Sequence, residues 1–178
     1  MTATNCEIMA APGYPLSAAR VKGTNFMDLG NLISRDGILP LINAKSKKQV
    51  LQQLARQAEE LTGLDQHDVF DTLLQRERLG STGVGHGIAI PHGKISGLKQ
   101  IIGLFARLGD PIEFDAIDDQ PVDLIFVLLA PESAGADHLK ALARISRLLR
   151  EPSAIEKLRT TNDRHGLYAI LTEPAAAA

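Results

Sequence analysis

The sequence predicts an α/β domain, a mixed sheet with helices packed on it. Three observations predict it. The hydrophobic period switches repeatedly between short unbroken apolar runs and stripes at helical spacing. The unbroken runs read as buried strands, and the clearest is bounded by Pro121 and Pro131. The order is one strand, two helices, further strands, then three helices, which suits a sheet covered by helices. At 178 residues the chain is long enough for one domain and short for two. A chain of this size buries roughly 70% of the surface its unfolded form exposes.

The elements follow in order. Residues 1–26 mix small residues with Pro and Gly and show no period, so a flexible leader outside the fold is expected, followed by a domain over residues 27–173 and a frayed tail over 174–178. Ile38 to Ile42 is a short apolar run and reads as the first strand. Ala44 to Thr62 reads as a helix, with Val50, Leu51, Leu54, Ala58 and Leu61 on one stripe and Gly63 just past its end. Asp65 suits an N-cap for a second helix carrying Val69, Phe70, Leu73 and Leu74, which runs out near Arg76–Leu79. A glycine-rich loop, Gly80 to Gly87, leads into Ile88-Ala89-Ile90. Ile101 to Leu108 and Val122 to Leu129 read as buried strands. Leu139, Leu142, Ile145 and Leu149 mark a helix that ends before Pro152. Two shorter helices follow over 154–159 and 166–171.

Composition excludes several classes. Nineteen Lys and Arg against 21 Asp and Glu give a net charge of -2, which argues against a dedicated nucleic-acid binder. Cys6 stands alone, so no internal disulfide framework or cysteine zinc site is expected. No apolar run approaches the ~20 residues of a membrane span. The first seven residues carry Glu7 and no Lys or Arg, and Pro12 and Pro15 interrupt the modest apolar stretch that follows, unlike a secretory signal. A cytoplasmic protein with no membrane insertion is expected.

The chemistry concentrates in residues 76–94, which open on Arg76-Glu77-Arg78-Leu79 and are dense in glycine: Gly80, Gly83, Gly85, Gly87 and Gly93. Such spacing lets the backbone approach a ligand and turn its N–H groups inward. The nucleotide motifs fail, however. Between Gly87 and Gly93-Lys94 lie five residues where a P-loop needs four, and Ile95 stands where Ser or Thr would hold magnesium. Gly83-x-Gly85 is followed by Gly87 out of register with a dinucleotide fingerprint. An ATPase or a Rossmann dehydrogenase is thereby disfavoured. What remains is His92, framed by Pro91 and Gly93. A histidine held at a strand end can present one ring nitrogen outward, and neutral imidazole is a competent nucleophile toward phosphorus. The alternative is a surface histidine in a turn.

The segment Gly-Ser-Thr-Gly-Val-Gly-His-Gly-Ile-Ala-Ile-Pro-His-Gly-Lys over 80–94 resembles the active-site segment of the type-2 IIA domains of the bacterial phosphotransferase system. Pro111 to Leu124 (PIEFDAIDDQPVDL) resembles the nitrogen-regulatory branch, the IIA-Ntr proteins, and His138-Leu139 is a third match. The resemblance spans about residues 28–172. It implies a three-layer α/β/α sandwich around a mixed sheet, and phosphorylation of His92 through Nε2. The implied donor is a phosphohistidine carrier of the HPr or NPr type, charged by an enzyme I that uses phosphoenolpyruvate. The implied partners are that carrier and regulatory target proteins, with no resident cofactor or metal. The alternative is a fructose- or mannitol-type sugar IIA that passes phosphate to a IIB domain; a binding module without phosphoryl chemistry is the third reading.

Other positions take roles from the same resemblance. His138, in the first turn of a helix and expected to be capped by Asp137, could donate to a phosphoryl oxygen, since helix N-termini favour anions; it could equally be a helix residue beside the apolar stripe. Arg76 resembles the family's active-site arginine, and guanidinium binds phosphate bidentately; locally Arg78 has equal claim. Lys94 could add charge beside His92. His86 departs from the family, where Asn is expected. His86 and His92 lack the spacing of a zinc pair, and His67 and His165 read as surface residues. Six acids over 110–123 (Asp110, Glu113, Asp115, Asp118, Asp119, Asp123), with no Lys or Arg between them, read as a solvated rim or a partner-selecting surface. Deleting residues 1–26 is expected to leave melting temperature and phosphoryl acceptance unchanged; a large drop in melting temperature on truncation would show that the leader docks on the domain.

Overall fold

A computed structural model describes residues 29–173; the expected leader and tail lie outside the described residues. The elements are β1 (Ile33–Ile42), α1 (Lys47–Thr62), α2 (Gln66–Arg78), β2 (Gly83–Gly85), β3 (Ile88–Ala89), β4 (His92–Ile95), β5 (Ile102–Ile112), β6 (Val122–Pro131), α3 (Gly135–Leu148), α4 (Pro152–Thr160) and α5 (Arg164–Thr172), with 3-10 turns at Leu29–Asn31 and Glu132–Ala134. The sheet is mixed. β5 pairs parallel with β1 on one side and antiparallel with β6 on the other, and β6 then pairs parallel with both β3 and β4. A short antiparallel β2 closes the far edge against β3.

β6 explains the layering. Its successive side chains alternate between faces, and both faces are buried. Ile125, Val127 and Leu129 meet Leu51, Leu54 and Ala58 of α1 and Val69 and Leu73 of α2 in one cluster. Leu124, Phe126 and Leu128 meet Ala141 and Ile145 of α3, Leu158 of α4, and Leu167 and Leu171 of α5 in the other. The result is the three-layer α/β/α sandwich, with α1 and α2 on one face and the C-terminal helices on the other.

Several boundaries differ from the pattern-based expectation. β1 starts at Ile33, because an edge strand tolerates the exposed Ser34, Arg35 and Asp36 that no apolar run would include. α1 starts at Lys47 and not Ala44, because the Ser46 hydroxyl accepts from the Gln49 amide and caps it there. α4 and α5 each begin two residues earlier than expected, on Pro152 at the first turn and on the Asp163 cap. The expected Asp137 cap is not formed. α3 grows directly out of the 3-10 turn after β6, from Ala134 with no side-chain cap, and Asp137 within its first turn pairs with Lys140 at 3.3 Å.

The glycine-rich segment is a hairpin and not only a loop. β2 and β3 are joined by His86 and Gly87, with φ of 56° and 77°. Positive φ at both central residues defines the two-residue type I′ turn, where Asn-Gly is preferred; histidine is among the side chains that tolerate the left-handed region. The turn is pinned on both sides. Asp118 Oδ2 accepts from the His86 amide at 2.8 Å, and Arg159 donates to the His86 carbonyl at 2.6 Å and bidentately to Asp123 at 2.7 Å. Asp115, Asp118 and Asp123 of the acidic segment bond to Lys47, the His86 amide and Arg159, Asp115 and Asp118 while remaining exposed, and Asp110, Glu113 and Asp119 face solvent.

One close approach sets where α2 sits. A Cβ on Gly93 would lie 2.5 Å from Thr72 Cγ2. The backbone of β4 therefore lies directly under the α2 turn that precedes Arg76, one helical turn on from Thr72. Gly93→Ala is expected to cost ~1–3 kcal/mol of stability by overpacking, read by urea denaturation. Gly93→Ala with Thr72→Ser, which removes the obstructing methyl, should regain most of it; equal loss in the single and double variants would show that the contact does not set the spacing.

Candidate functional site

α2, β4 and the start of α3 converge on a cleft of about 380 Å³ lined by Thr72, Arg76, Leu79, His92, Lys94 and His138, among others. β3 and β4 lie on β6 in one register, with Ala89 opposite Ile125 and His92 opposite Leu128, and the interruption between them falls at Ile90-Pro91. Proline has no amide hydrogen to give a ladder. His92 re-enters the sheet immediately after it, half-buried, as the first residue of β4.

The His92 ring is fixed at both nitrogens. Nδ1 lies 2.8 Å from the Ile90 carbonyl oxygen, which can only accept, so Nδ1 carries the ring proton. Nε2 is then the lone-pair nitrogen, and Arg76 Nε donates to it at 3.2 Å. Arg76 is held again where Nη1 donates to the Gly80 carbonyl at 3.0 Å. Burial, the largest influence, pushes the His92 pKa below the usual imidazole value and Arg76 adds to this, against the Ile90 carbonyl and the Glu77 carboxylate, which favour the charged form.

His138 comes to this ring, with centroids 5.8 Å apart and planes tilted by 51°. It is only 7% exposed, and its Nδ1 has no protein hydrogen-bond partner. Burial, then the neighbouring His92 and Lys94, lower its pKa. Arg76 and not Arg78 faces the cleft; Arg78 is exposed. His86 does not line it, and His67 and His165 are exposed elsewhere. Among the described residues no group of three or more His, Cys, Asp or Glu is arranged to hold a metal ion.

Pattern reading passed over Glu77. It is 7% exposed, and its carboxylate accepts from the Thr82 amide at 3.1 Å, from the Thr82 hydroxyl at 2.6 Å and from Lys47 Nζ at 2.9 Å. Lys47 also reaches Asp115 at 2.7 Å. A signal was present: an acid in the last turn of a helix opposes the macrodipole, so Glu77 between two arginines needs a tertiary reason.

The family model "Phosphoenolpyruvate-dependent sugar phosphotransferase system, EIIA 2" matches residues 31–173. The chain belongs to this type-2 EIIA family. Within it the chain falls in the nitrogen-regulatory branch. It is 56% identical over 152 residues to a "Nitrogen regulatory protein" of Bradyrhizobium diazoefficiens, covering 85% of this chain and 99% of that one. It is 37% identical over 154 residues to a protein of the same name from Klebsiella oxytoca, covering 86% and 95%. The crystal structure of Nitrogen Regulatory Protein IIA-Ntr from Neisseria meningitidis superposes with a TM-score of 0.77 at 40% identity, covering 81% of this chain and 99% of that one. No helix among the described residues is long and apolar enough to cross a membrane.

The lowered histidines have a linked consequence. The unfolded chain takes up imidazole protons near pH 6.5, and the fold takes them up only at lower pH. The stability these two histidines contribute is therefore full above about pH 6.5 and is lost as the pH falls from there through their lowered folded values. Melting temperature measured from pH 7.5 downward should drop below about pH 6.5, less steeply in His92→Gln or His138→Gln. Arg76→Gln should raise the His92 pKa, read from its imidazole proton resonances; a downward or absent shift would contradict the contact.

Proposed function

We propose that the protein accepts a phosphoryl group on His92 Nε2 from a phosphohistidine carrier of the HPr or NPr type in the cytoplasm, and that its phosphorylation state regulates target proteins. The observation that carries the reading is the Nδ1 hydrogen bond to Ile90, which leaves Nε2 unprotonated and turned toward the cleft. The lowered pKa keeps it so at neutral pH. In the transfer, the Nε2 lone pair forms the new P–N bond as the carrier's P–N bond breaks, and that bond's electron pair returns to the carrier imidazole. Nδ1 keeps its proton throughout, still donated to Ile90, so no proton has to change hands.

The surroundings support the same chemistry. Arg76, freed from Nε2 by the incoming phosphorus, has its Nε–H available for a phosphoryl oxygen, and a charge-assisted bond to an anion is strong. His138 lines the same cleft, its ring centroid 5.8 Å from that of His92. Lys94 adds positive charge at the cleft. A regulatory readout fits the names of the relatives. It also fits the physics, because a phosphohistidine puts charge on a surface where a neutral imidazole stood, and a differential of ~1.4 kcal/mol already changes a partner's affinity tenfold.

Incubation with enzyme I, carrier and phosphoenolpyruvate should add one acid-labile phosphoryl group by intact mass, and none to His92→Ala. Arg76→Ala and His138→Ala should remain folded and accept phosphate about ten- to a hundredfold more slowly, the rate equivalent of losing a charge-assisted bond. Undiminished labelling of His92→Ala would sink the assignment. Efficient passage of the phosphate to a sugar-specific IIB would instead favour the sugar-transport role.

A further inference from the structure

Glu77 takes no part in the transfer described above, yet it is one of the most buried charged groups of the fold. Burying a carboxylate is costly unless it is paired and hydrogen-bonded. A helix C-terminus alone would be better served by glycine or a basic residue. Its position therefore asks for a reason other than ending α2.

The bonds supply one. Through the Thr82 amide and hydroxyl, Glu77 ties the last turn of α2 to the residue before β2. The tie closes over Leu79, Gly80 and Ser81, which are otherwise exposed or half-exposed. Inside that closed turn lies the Gly80 carbonyl, which accepts from Arg76 Nη1, while Arg76 Nε donates to His92 Nε2. Lys47 balances the charge of the tie from α1. Fixing Thr82 thus fixes Gly80, and fixing Gly80 holds one side of the guanidinium plane whose other side meets the imidazole.

We propose that Glu77 is a positioning residue for phosphoryl acceptance, acting through Arg76: by locking Thr82 to α2 it holds the Gly80 carbonyl that aims the Arg76 guanidinium at His92 Nε2. The proposal rests on the reading of His92 as the acceptor.

The test uses the full chain with enzyme I, an HPr-type carrier and phosphoenolpyruvate. Glu77→Gln keeps the volume and removes the charge. It is expected to accept phosphate about tenfold more slowly than wild type. At pH 8, where the His92 imidazole is neutral with or without the direct pull of the Glu77 carboxylate, the Arg76→Gln, Glu77→Gln double variant should be no slower than Arg76→Gln alone, since the positioning then has no guanidinium to act on. In the unphosphorylated protein, the Arg76 Nε–H resonance and the nitrogen shift of His92 Nε2 should both move in Glu77→Gln, which a general loss of stability would not produce. A wild-type rate in Glu77→Gln, or effects that multiply in the double variant, overturns the proposal. Should the wild-type chain take no label on His92, the acceptor reading falls, and the two resonances decide the positioning alone: moved in Glu77→Gln they support it, unmoved they refute it. If Glu77→Gln does not fold, Thr82→Val removes only the hydroxyl contact and carries the same comparison against Arg76→Gln.

Discussion

Pro91 has no amide hydrogen, and the geometry of the site follows from that interruption. β3 and β4 share one register on β6, so the chain could have continued as one strand. The residue pairing lapses at Ile90 and Pro91, although the Pro91 carbonyl still accepts from the Leu128 amide and the Ile90 amide donates to Thr82. The Ile90 carbonyl meets the His92 ring and not a neighbouring strand. One hydrogen bond then settles the tautomer, the ring orientation and which nitrogen faces the cleft. The parallel pairing that resumes at His92, opposite Leu128, holds the backbone on the far side, and β6 is itself buried on both faces. A mobile loop could offer the same imidazole without choosing its nitrogen.

The electrostatics of the cleft are asymmetric. Two imidazoles sit side by side, each held toward its neutral form by burial, with Arg76 and Lys94 beside them. The nearest carboxylate, Glu77, is turned away into its bonds with Thr82 and Lys47. The cleft is thus lined by cationic groups and by the His138 ring, an arrangement that favours an anion over a cation.

The second sequence motif has a structural use as well as a surface. Asp118 and Asp123 hold the type I′ turn at His86-Gly87, the first directly and the second through Arg159. Gly87 must stay without a Cβ there, since one would meet Arg159 and Asp123. The acidic stretch and the glycine-rich stretch, far apart in sequence, are one construction, and the residues of the stretch that remain free for a partner are fewer than its charge suggests.

The sequence by itself determined the α/β class, the central buried strands, the two N-terminal helices with their apolar stripes, and the choice of His92 as the candidate site residue. These are local or periodic properties: spacing of apolar side chains, a capping aspartate at Asp65, a proline and glycine on either side of one histidine. The segment 80–94 also carried its family in its residue order, which is why Arg76 and His138 could be named beside it. The tertiary structure alone decided the rest. Ala134, and not Asp137, begins α3, because the chain's exit from β6 sets where helical geometry can start, whereas α1 starts at a local cap, Ser46, that its apolar stripe did not mark. Arg76 rather than Arg78 meets His92, because the rotation of α2 is set by the contact of Thr72 on Gly93 across the sheet. Glu77 showed in the sequence only as an acid out of place in a helix's last turn; its use could not be read there because its partners, Thr82 and Lys47, come from a turn and another helix. Periodicity reports which face of an element is buried; it does not report which partner a polar group finds there, since that depends on how separate elements pack.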